Sequence, residues 1–256
     1  MVNKKKRRQN IYRLIKDNRF IKVSDLEKSF QVSAPTIRKD LTALEENGLI
    51  KRSHGFARIS DDYKTVRITP FETRERLNLR EKEAIARRAV KFIEEGDSII
   101  LNAGTTTLQI AKLLADRRNL TIFTNSLSIA SVFNVSRVSV ILISGIYVSE
   151  DFATHGPETE RFLRTIRVGK AFISSSGIRA DFGLACSDSL DASLLRAIAY
   201  SSEKTYAVMD SSKLIKTNIY PSVSFQELEC LITDSEIQDK ELAAALTKAG
   251  TPVILP

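Results

Sequence analysis

The sequence holds two cysteines, Cys186 and Cys230, and two histidines, His54 and His155. So few cysteines exclude a disulfide framework, and both read as buried small side chains. With so few His and Cys ligands no metal centre is expected. No uncharged apolar run reaches 18 residues, which excludes a membrane-spanning helix of the usual kind. A charged start is not followed by an apolar segment, so no secretory signal is read and a cytoplasmic location is the expectation. Against these absences stand 256 residues with 43% apolar side chains, enough for two domains with cores of their own.

The net charge of +8 is unevenly placed. Residues 1–58 carry 15 Lys and Arg against 6 Asp and Glu, and the remainder carries 24 against 25. The whole excess therefore belongs to the first segment. That asymmetry points to a nucleic-acid-binding module joined to a near-neutral domain. A solubilising tail would account for the run Lys4-Lys5-Lys6-Arg7-Arg8, but not for basic residues inside a patterned segment.

The stretch SAPTIRKDLTALEENG, residues 33–48, reads as a short helix. Ser33 suits the N-cap and Pro35 the first turn, while Gly48 suits the left-handed stop. Ile37, Leu41 and Leu44 form one apolar stripe. Pro35, Thr36, Arg38, Lys39 and Thr42 form a short, polar, basic face opposite, which fits either a solvated surface or a helix that reads a DNA groove. Upstream, residues 5–18 read as a helix with Ile11, Leu14 and Ile15 inward. A second helix is capped by Ser24, with Leu26 and Phe30 inward, and residues 31–33 turn into the third. Downstream, residues 49–52 and 56–59 read as short strands around Ser53-His54-Gly55. Such a wing would bring Arg52, His54 and Arg58 to the DNA backbone or minor groove, although His54 fits an exposed turn equally well. Asp40, acidic on a basic surface, suits a structural ion pair better than base reading.

These residues, VSAPTIRKDLTALEENGLIKRSHG, resemble the winged helix-turn-helix of the DeoR family of bacterial transcriptional regulators. The resemblance implies that the helix bearing Thr36, Ile37, Arg38, Lys39 and Asp40 reads DNA. The implied contacts to double-stranded operator DNA are Ser33, Pro35, Thr36, Arg38, Lys39, Thr42, Arg52 and His54. Where the family usually has two wing glycines, this chain has Gly55-Phe56.

Residues 60–80 carry charge without clear period and read as a linker between a 1–59 DNA-binding domain and an 81–256 domain. Arg74 and Arg76 there suit either interdomain coupling or surface charge with local partners. From residue 81 apolar strands alternate with helices, which argues for an α/β domain built on a parallel sheet covered on both faces. Strands are expected at 98–101, 121–124, 138–143, 171–174, 205–209, 231–233 and 253–255, and helices at 81–95, 126–133, 157–163, 188–200 and 239–249, with a further helix carrying Leu108, Ala111 and Leu114.

Ligands of such sheets bind beyond the carboxyl ends of the strands. Four polar loops fall there: 102–107, 124–126, 174–177 and 210–213. The first, rich in Gly and Thr and opening a helix, presents N–H groups and hydroxyls to a phosphate. Lys213 in the fourth would neutralise an anion. Each loop alone is also ordinary turn chemistry; their recurrence after four strands suggests a pocket for a small polyhydroxylated or phosphorylated ligand. The candidate effector contacts are Asn102, Gly104, Thr105, Thr106, Thr124, Asn125, Ser126, Ser175, Ser176, Gly177 and Lys213.

This second region resembles the sugar-phosphate-sensing domain of the DeoR family, which shares its fold with ribose-5-phosphate isomerase and the CoA transferases. EKEAIA, NAGTTTLQIAKLL, TNSLSIA, HGPE, MDSSK and LITD carry the resemblance. The chain departs from the family at Asn102, where an Asp is common, and at Ser176, where the family has a carboxylate. It departs also at Ile146 and Val148, where the family's Gly-Gly followed by arginines appears as Ser144-Gly145-Ile146-Tyr147-Val148, and at Leu195, where a lysine is frequent. An asparagine still hydrogen-bonds a hydroxyl but takes no proton.

The leading expectation is a DNA-binding transcriptional regulator, a repressor of a carbohydrate operon, whose operator affinity a phosphorylated sugar or related metabolite shifts. A homodimer or homotetramer is expected from the paired half-sites such modules read. No cofactor and no membrane partner is expected. Two alternatives stand beside it: a sugar-phosphate isomerase, which the losses at Asn102 and Ser176 disfavour, and a DNA binder whose second domain only oligomerises.

Overall fold

The computed structural model describes residues 4–18, 20–46, 50–53, 56–59, 71–133, 137–149, 151–214 and 218–256. The chain divides into two compact units, Met1–Arg67 and Ile68–Pro256. No helix among the described residues is long and apolar enough to cross a membrane.

The smaller unit runs α1 (Lys4–Asn18), β1 (Phe20–Lys22), α2 (Val23–Phe30), α3 (Ala34–Glu46), β2 (Ile50–Ser53) and β3 (Phe56–Ile59). Ile11 and Ile15 lie one turn apart on α1, so they share a face. Ile37, Leu41 and Leu44 do the same on α3. Together with Leu26, Ile50 and Ala57 they form one buried cluster. Two features depart from expectation. α2 starts at Val23, which puts Ser24 inside the first turn rather than at the cap. The wing has a third strand, because β1 pairs antiparallel with β3 through Ile21 and Ala57, giving the order β1-β3-β2.

The larger unit begins with α4 (Phe71–Arg76) and α5 (Leu79–Ala89), then β4 (Ser98–Leu101), α6 (Thr105–Leu114), β5 (Arg118–Thr124), α7 (Leu127–Val132), β6 (Arg137–Leu142), β7 (Ile146–Val148) and β8 (Ala153–His155). It continues through α8 (Pro157–Leu163), β9 (Val168–Ile173), β10 (Gly177–Arg179), β11 (Gly183–Cys186), α9 (Ser189–Tyr200), β12 (Ser202–Val208), β13 (Tyr220–Pro221), β14 (Cys230–Ile232), α10 (Lys240–Ala249) and β15 (Val253–Ile254). Seven of these strands form one parallel sheet in the order β15-β14-β12-β9-β4-β5-β6.

Successive strand residues serve opposite faces, as the pleat requires. Ile99, Leu101, Phe172, Tyr206 and Val208 join one core with Ile85 of α5 and Leu108 of α6. Ile100, Ala171, Ile173 and Ala207 join the other with Ile198 of α9 and Leu246 of α10. The sheet is thus covered on both sides. Two small antiparallel additions, β7-β8 and β10-β11-β13, were not expected from the sequence.

The reading of 60–80 as unpatterned linker is corrected over its second half. Phe71 is buried and meets Phe152 edge-on at 5.8 Å. Arg74 pairs with Asp151 at 2.5 Å and Glu75 with Lys112 at 2.9 Å. Lys82, 3% exposed, donates to the carbonyls of Arg74 and Leu77, at the end of α4. A single apolar anchor and a set of polar ties hold this helix, so hydrophobic period could not reveal it.

Candidate functional site

On α3 the residues at i, i+3, i+4 and i+7 separate into two stripes. Ile37, Asp40, Leu41 and Leu44 are buried, whereas Pro35, Arg38 and Lys39 are exposed and Thr36 and Thr42 partly so. Ser33 precedes the helix, and its carbonyl accepts from Thr36 and Ile37 N–H. Its hydroxyl meets the Thr36 hydroxyl at 3.0 Å instead of a backbone donor. Thr42 donates to the Arg38 carbonyl one turn back. Arg52 lies on β2 opposite Ala57, and His54 falls outside the described residues.

Asp40 is 1% exposed and takes the Nε of Arg7 at 2.6 Å and that of Arg8 at 2.9 Å. The one carboxylate in the middle of α3 is therefore turned inward and matched by two guanidinium groups of α1. What α3 presents outward from this stretch is two cations with hydroxyls around them, the chemistry that meets phosphates and base edges.

The four polar loops of the larger unit follow β4, β5, β9 and β12, which are neighbours in the sheet. Leu101 pairs with both Thr124 and Phe172, and Phe172 with Tyr206, so the strand ends lie level. All four loops accordingly share one edge.

The side chains there mostly hold the loops to each other. Asn102 donates to the Ser174 carbonyl and accepts from the Ser174 N–H, both at 2.9 Å. Asn125 accepts from Ala103 N–H at 2.8 Å and donates to the Thr154 carbonyl at 2.9 Å. Thr124 accepts from Ser126 N–H, and Ser126 caps α7 by accepting from Ile129 N–H. Ser175 donates to the Ala185 carbonyl at 2.7 Å, while Ser176 accepts from Ser187 N–H and from the Asn218 amide. Gly177 pairs with Ala185 in the small sheet. These residues, expected to face a ligand, lie along one edge and make their hydrogen bonds to the scaffold.

Gly104, Thr105 and Thr106 open α6 at this edge, where the first-turn N–H groups of a helix point out of its end. A Cβ on Gly104 would lie 2.9 Å from Thr107 Oγ1 and 3.2 Å from Ser174 Cβ, so glycine permits the close approach of the two loops. Asp210 caps the fourth loop through Ser212 N–H and also accepts from Asn78 at 2.9 Å, and Lys213 completes the turn. A cavity of about 580 Å³ lies elsewhere, lined by Ile178, Arg179, Leu214, Glu241 and Leu242 among others. None of the residues expected to contact an effector lines it.

Residues 7–62 match the family described as the DeoR-like helix-turn-helix domain, and residues 77–235 the DeoR C terminal sensor domain. The chain belongs to the DeoR family. It is a regulator with a helix-turn-helix domain followed by a sensor domain on a parallel α/β sheet. The transcriptional repressor AccR of Agrobacterium fabrum is 35% identical over 235 residues, spanning 90% of this chain and 89% of that protein. A lactose phosphotransferase system repressor of Staphylococcus epidermidis is 31% identical and spans 94% and 96%. An L-fucose operon activator of Haemophilus influenzae is 32% identical and spans 85% and 86%. A D-ribose-5-phosphate isomerase solved with phospho-erythronic acid shows 17% identity and a TM-score of 0.39 over 52% of this chain and 53% of that one.

The departures of this DeoR-family chain have structural counterparts. Asn102 makes a two-way amide contact that a carboxylate, which only accepts, would not complete. Leu195 lies on α9 and is buried in the core. Ile146 is 64% exposed on β7. The glycine before it remains necessary: Gly145 has φ +157°, and a Cβ there would lie 2.1 Å from Thr159 Oγ1.

Sequence reasoning missed three groups of polar residues in the larger unit. Lys82 is one, and burial lowers its pKa from the usual 10.5. Asn78, left-handed at φ 51°, is another. The third joins Asp151, His155 and Asp191, which stand 40 residues apart in sequence at their widest but adjacent in space. Cys186 and Cys230 are buried, with thiols pushed up to about 12 by burial.

Proposed function

We propose that this protein represses a carbohydrate-metabolism operon and that a small phosphorylated sugar or related metabolite shifts its operator affinity. The observation that carries the DNA half is the exposed Arg38 and Lys39 on α3, with Asp40 of the same helix withdrawn onto Arg7 and Arg8. In this reading Ser33, Pro35, Thr36, Arg38, Lys39 and Thr42 meet the major groove, and Arg52 and His54 the flanking backbone. Two-fold operators then call for at least a homodimer. Repression is favoured by the names of the AccR and lactose relatives, whereas the fucose relative is named an activator.

For the effector we assign contact to the α6 start at Gly104, Thr105 and Thr106 and to Lys213. Asn102, Thr124, Asn125, Ser126, Ser175, Ser176 and Gly177 serve to position those loops. A helix start and a lysine suit an anion such as a phosphate. The protein is read as a non-enzyme, because Asn102 and Ser176 supply no general base at this edge. A second reading, effector-independent binding with an oligomerising domain, draws on the same observation that the loop side chains are largely engaged with one another.

The test is fluorescence anisotropy with DNA from the protein's own upstream region, across a salt series, with and without a panel of sugar phosphates. Selective binding that one metabolite alters is the expected outcome. Selective binding that none alters selects the second reading. No selectivity at any salt overturns the regulator.

A further inference from the structure

A cluster of metal-ligand side chains lies outside the contacts assigned above. Asp151 precedes β8, His155 ends β8, and Asp191 lies in the first turn of α9. One ligand atom from each falls within 4.8 Å of the other two. His155 is 5% exposed, and its Nδ1 stands 3.2 Å from Asp191 Oδ1. Its Nε2 is buried without a hydrogen-bond partner, so the imidazole is held in the cluster by one nitrogen alone.

The charges around the ring are out of balance. Asp188 caps α9 and adds a third carboxylate nearby. Arg74 compensates Asp151 at 2.5 Å.

We propose that Asp151, His155 and Asp191 bind a divalent transition-metal ion, zinc(II) or manganese(II). One imidazole with two carboxylates suits these ions, whereas calcium and magnesium take shells of oxygen ligands and water. The 3.2 Å between His155 Nδ1 and Asp191 Oδ1 matches the edge, about 3.3 Å, of a tetrahedron with bonds of about 2.05 Å. Asp151, with a carboxylate oxygen within 4.8 Å of the other two ligand atoms, would close the set, and a fourth position stays open to water. The ion would join the β7-β8 hairpin to α9 and place positive charge beside Arg74 on α4. The site is independent of the operator reading.

The test uses the full-length chain, treated with chelator and dialysed. Zinc(II) is titrated in competition with a chromophoric chelator, and manganese(II) is followed by the electron paramagnetic resonance of the free ion. About one ion per chain is expected for at least one metal. Asp191→Asn and His155→Gln are each expected to weaken it at least tenfold, and Asp181→Asn, an exposed partner of Arg179, to leave it unchanged. Circular dichroism checks each variant, and Asp151→Asn replaces either one that does not fold. Substoichiometric binding of both metals to the unsubstituted protein overturns the proposal, and so does binding that the site variants leave intact.

Discussion

Arg7 donates its Nε to Asp40 at 2.6 Å, so the first helix of the chain is tied to the middle of α3 through a carboxylate that is 1% exposed. Arg8 repeats the contact on the other oxygen. Arg7 lies one turn before Ile11 and two before Ile15, on the face that packs inward. The pair therefore extends the hydrophobic contact of α1 into an electrostatic one. Two residues of the basic run are committed to architecture rather than offered to DNA.

Replacing Asp40 by Asn should destabilise the smaller unit by about 2 kcal/mol. Removing one partner of a buried ion pair leaves the others uncompensated, and the figure is set below the fully buried range because both arginines reach solvent. Chemical denaturation read through the smaller unit checks it. An unchanged midpoint would show that the clasp contributes nothing.

Arg38→Ala and Lys39→Ala should each weaken operator binding, by ~1–3 kcal/mol where the side chain reads a base. A phosphate contact would instead lower the salt slope by about one and weaken all sequences alike. Anisotropy on operator and scrambled duplexes separates the two. Equal affinity of both variants and the unsubstituted protein would remove α3 from the interface.

Asn102→Asp should cost the larger unit about 1–3 kcal/mol, since the Ser174 carbonyl loses its donor and faces a group with none. Urea denaturation of the larger unit measures this. Gain of stability would mean that the carboxylate finds a partner the asparagine does not use.

Lys82 gives a pH dependence with a definite sign. Its folded pKa is lowered by burial, against the opposing pull of Asp210. A depressed pKa means proton uptake on unfolding, so the associated stability is present above pH 10.5 and is lost as pH falls through the folded value. The stability of the unsubstituted protein relative to Lys82→Met should therefore rise with pH towards 10.5. Thermal melts of both proteins over that range decide it, and a falling difference would contradict the burial.

The thiols of Cys186 and Cys230, pushed up to about 12, hold almost no thiolate at pH 8. The native chain should resist alkylation by iodoacetamide there, and the urea-unfolded chain should take two adducts. Intact mass reads both. Rapid labelling of the native protein would place a thiol at the surface.

Much of this was legible in the sequence, and the reasons differ by element. The α3 stripe of Ile37, Leu41 and Leu44 dictated a buried face, and Asp40 at i+3 from Ile37 belonged to that face by spacing alone. The parallel sheet was readable because its strands are apolar on both sides. Strand β1 was not: three residues between two helices carry too little pattern, and its partner lies 36 residues on. Helix α4 was hidden because Arg74, Glu75 and Lys82 hold it by polar contacts while Leu77 is 53% exposed. At the loop edge, position was legible and orientation was not. Asn102 and Asn125 are ordinary turn residues; the level strand ends bring Ser174 and Ala103 into reach of their amides, and the β7-β8 hairpin brings Thr154.

The two clasps at that edge, Asn102 on Ser174 and Asn125 between Ala103 and Thr154, are made by neutral groups alone. Counterions screen charges and leave such bonds nearly untouched. This edge should thus keep its shape at ionic strengths that strip a basic helix from DNA. In a cell whose potassium level swings with osmotic conditions, the grip on the operator would vary while the loops proposed to receive the metabolite stay set.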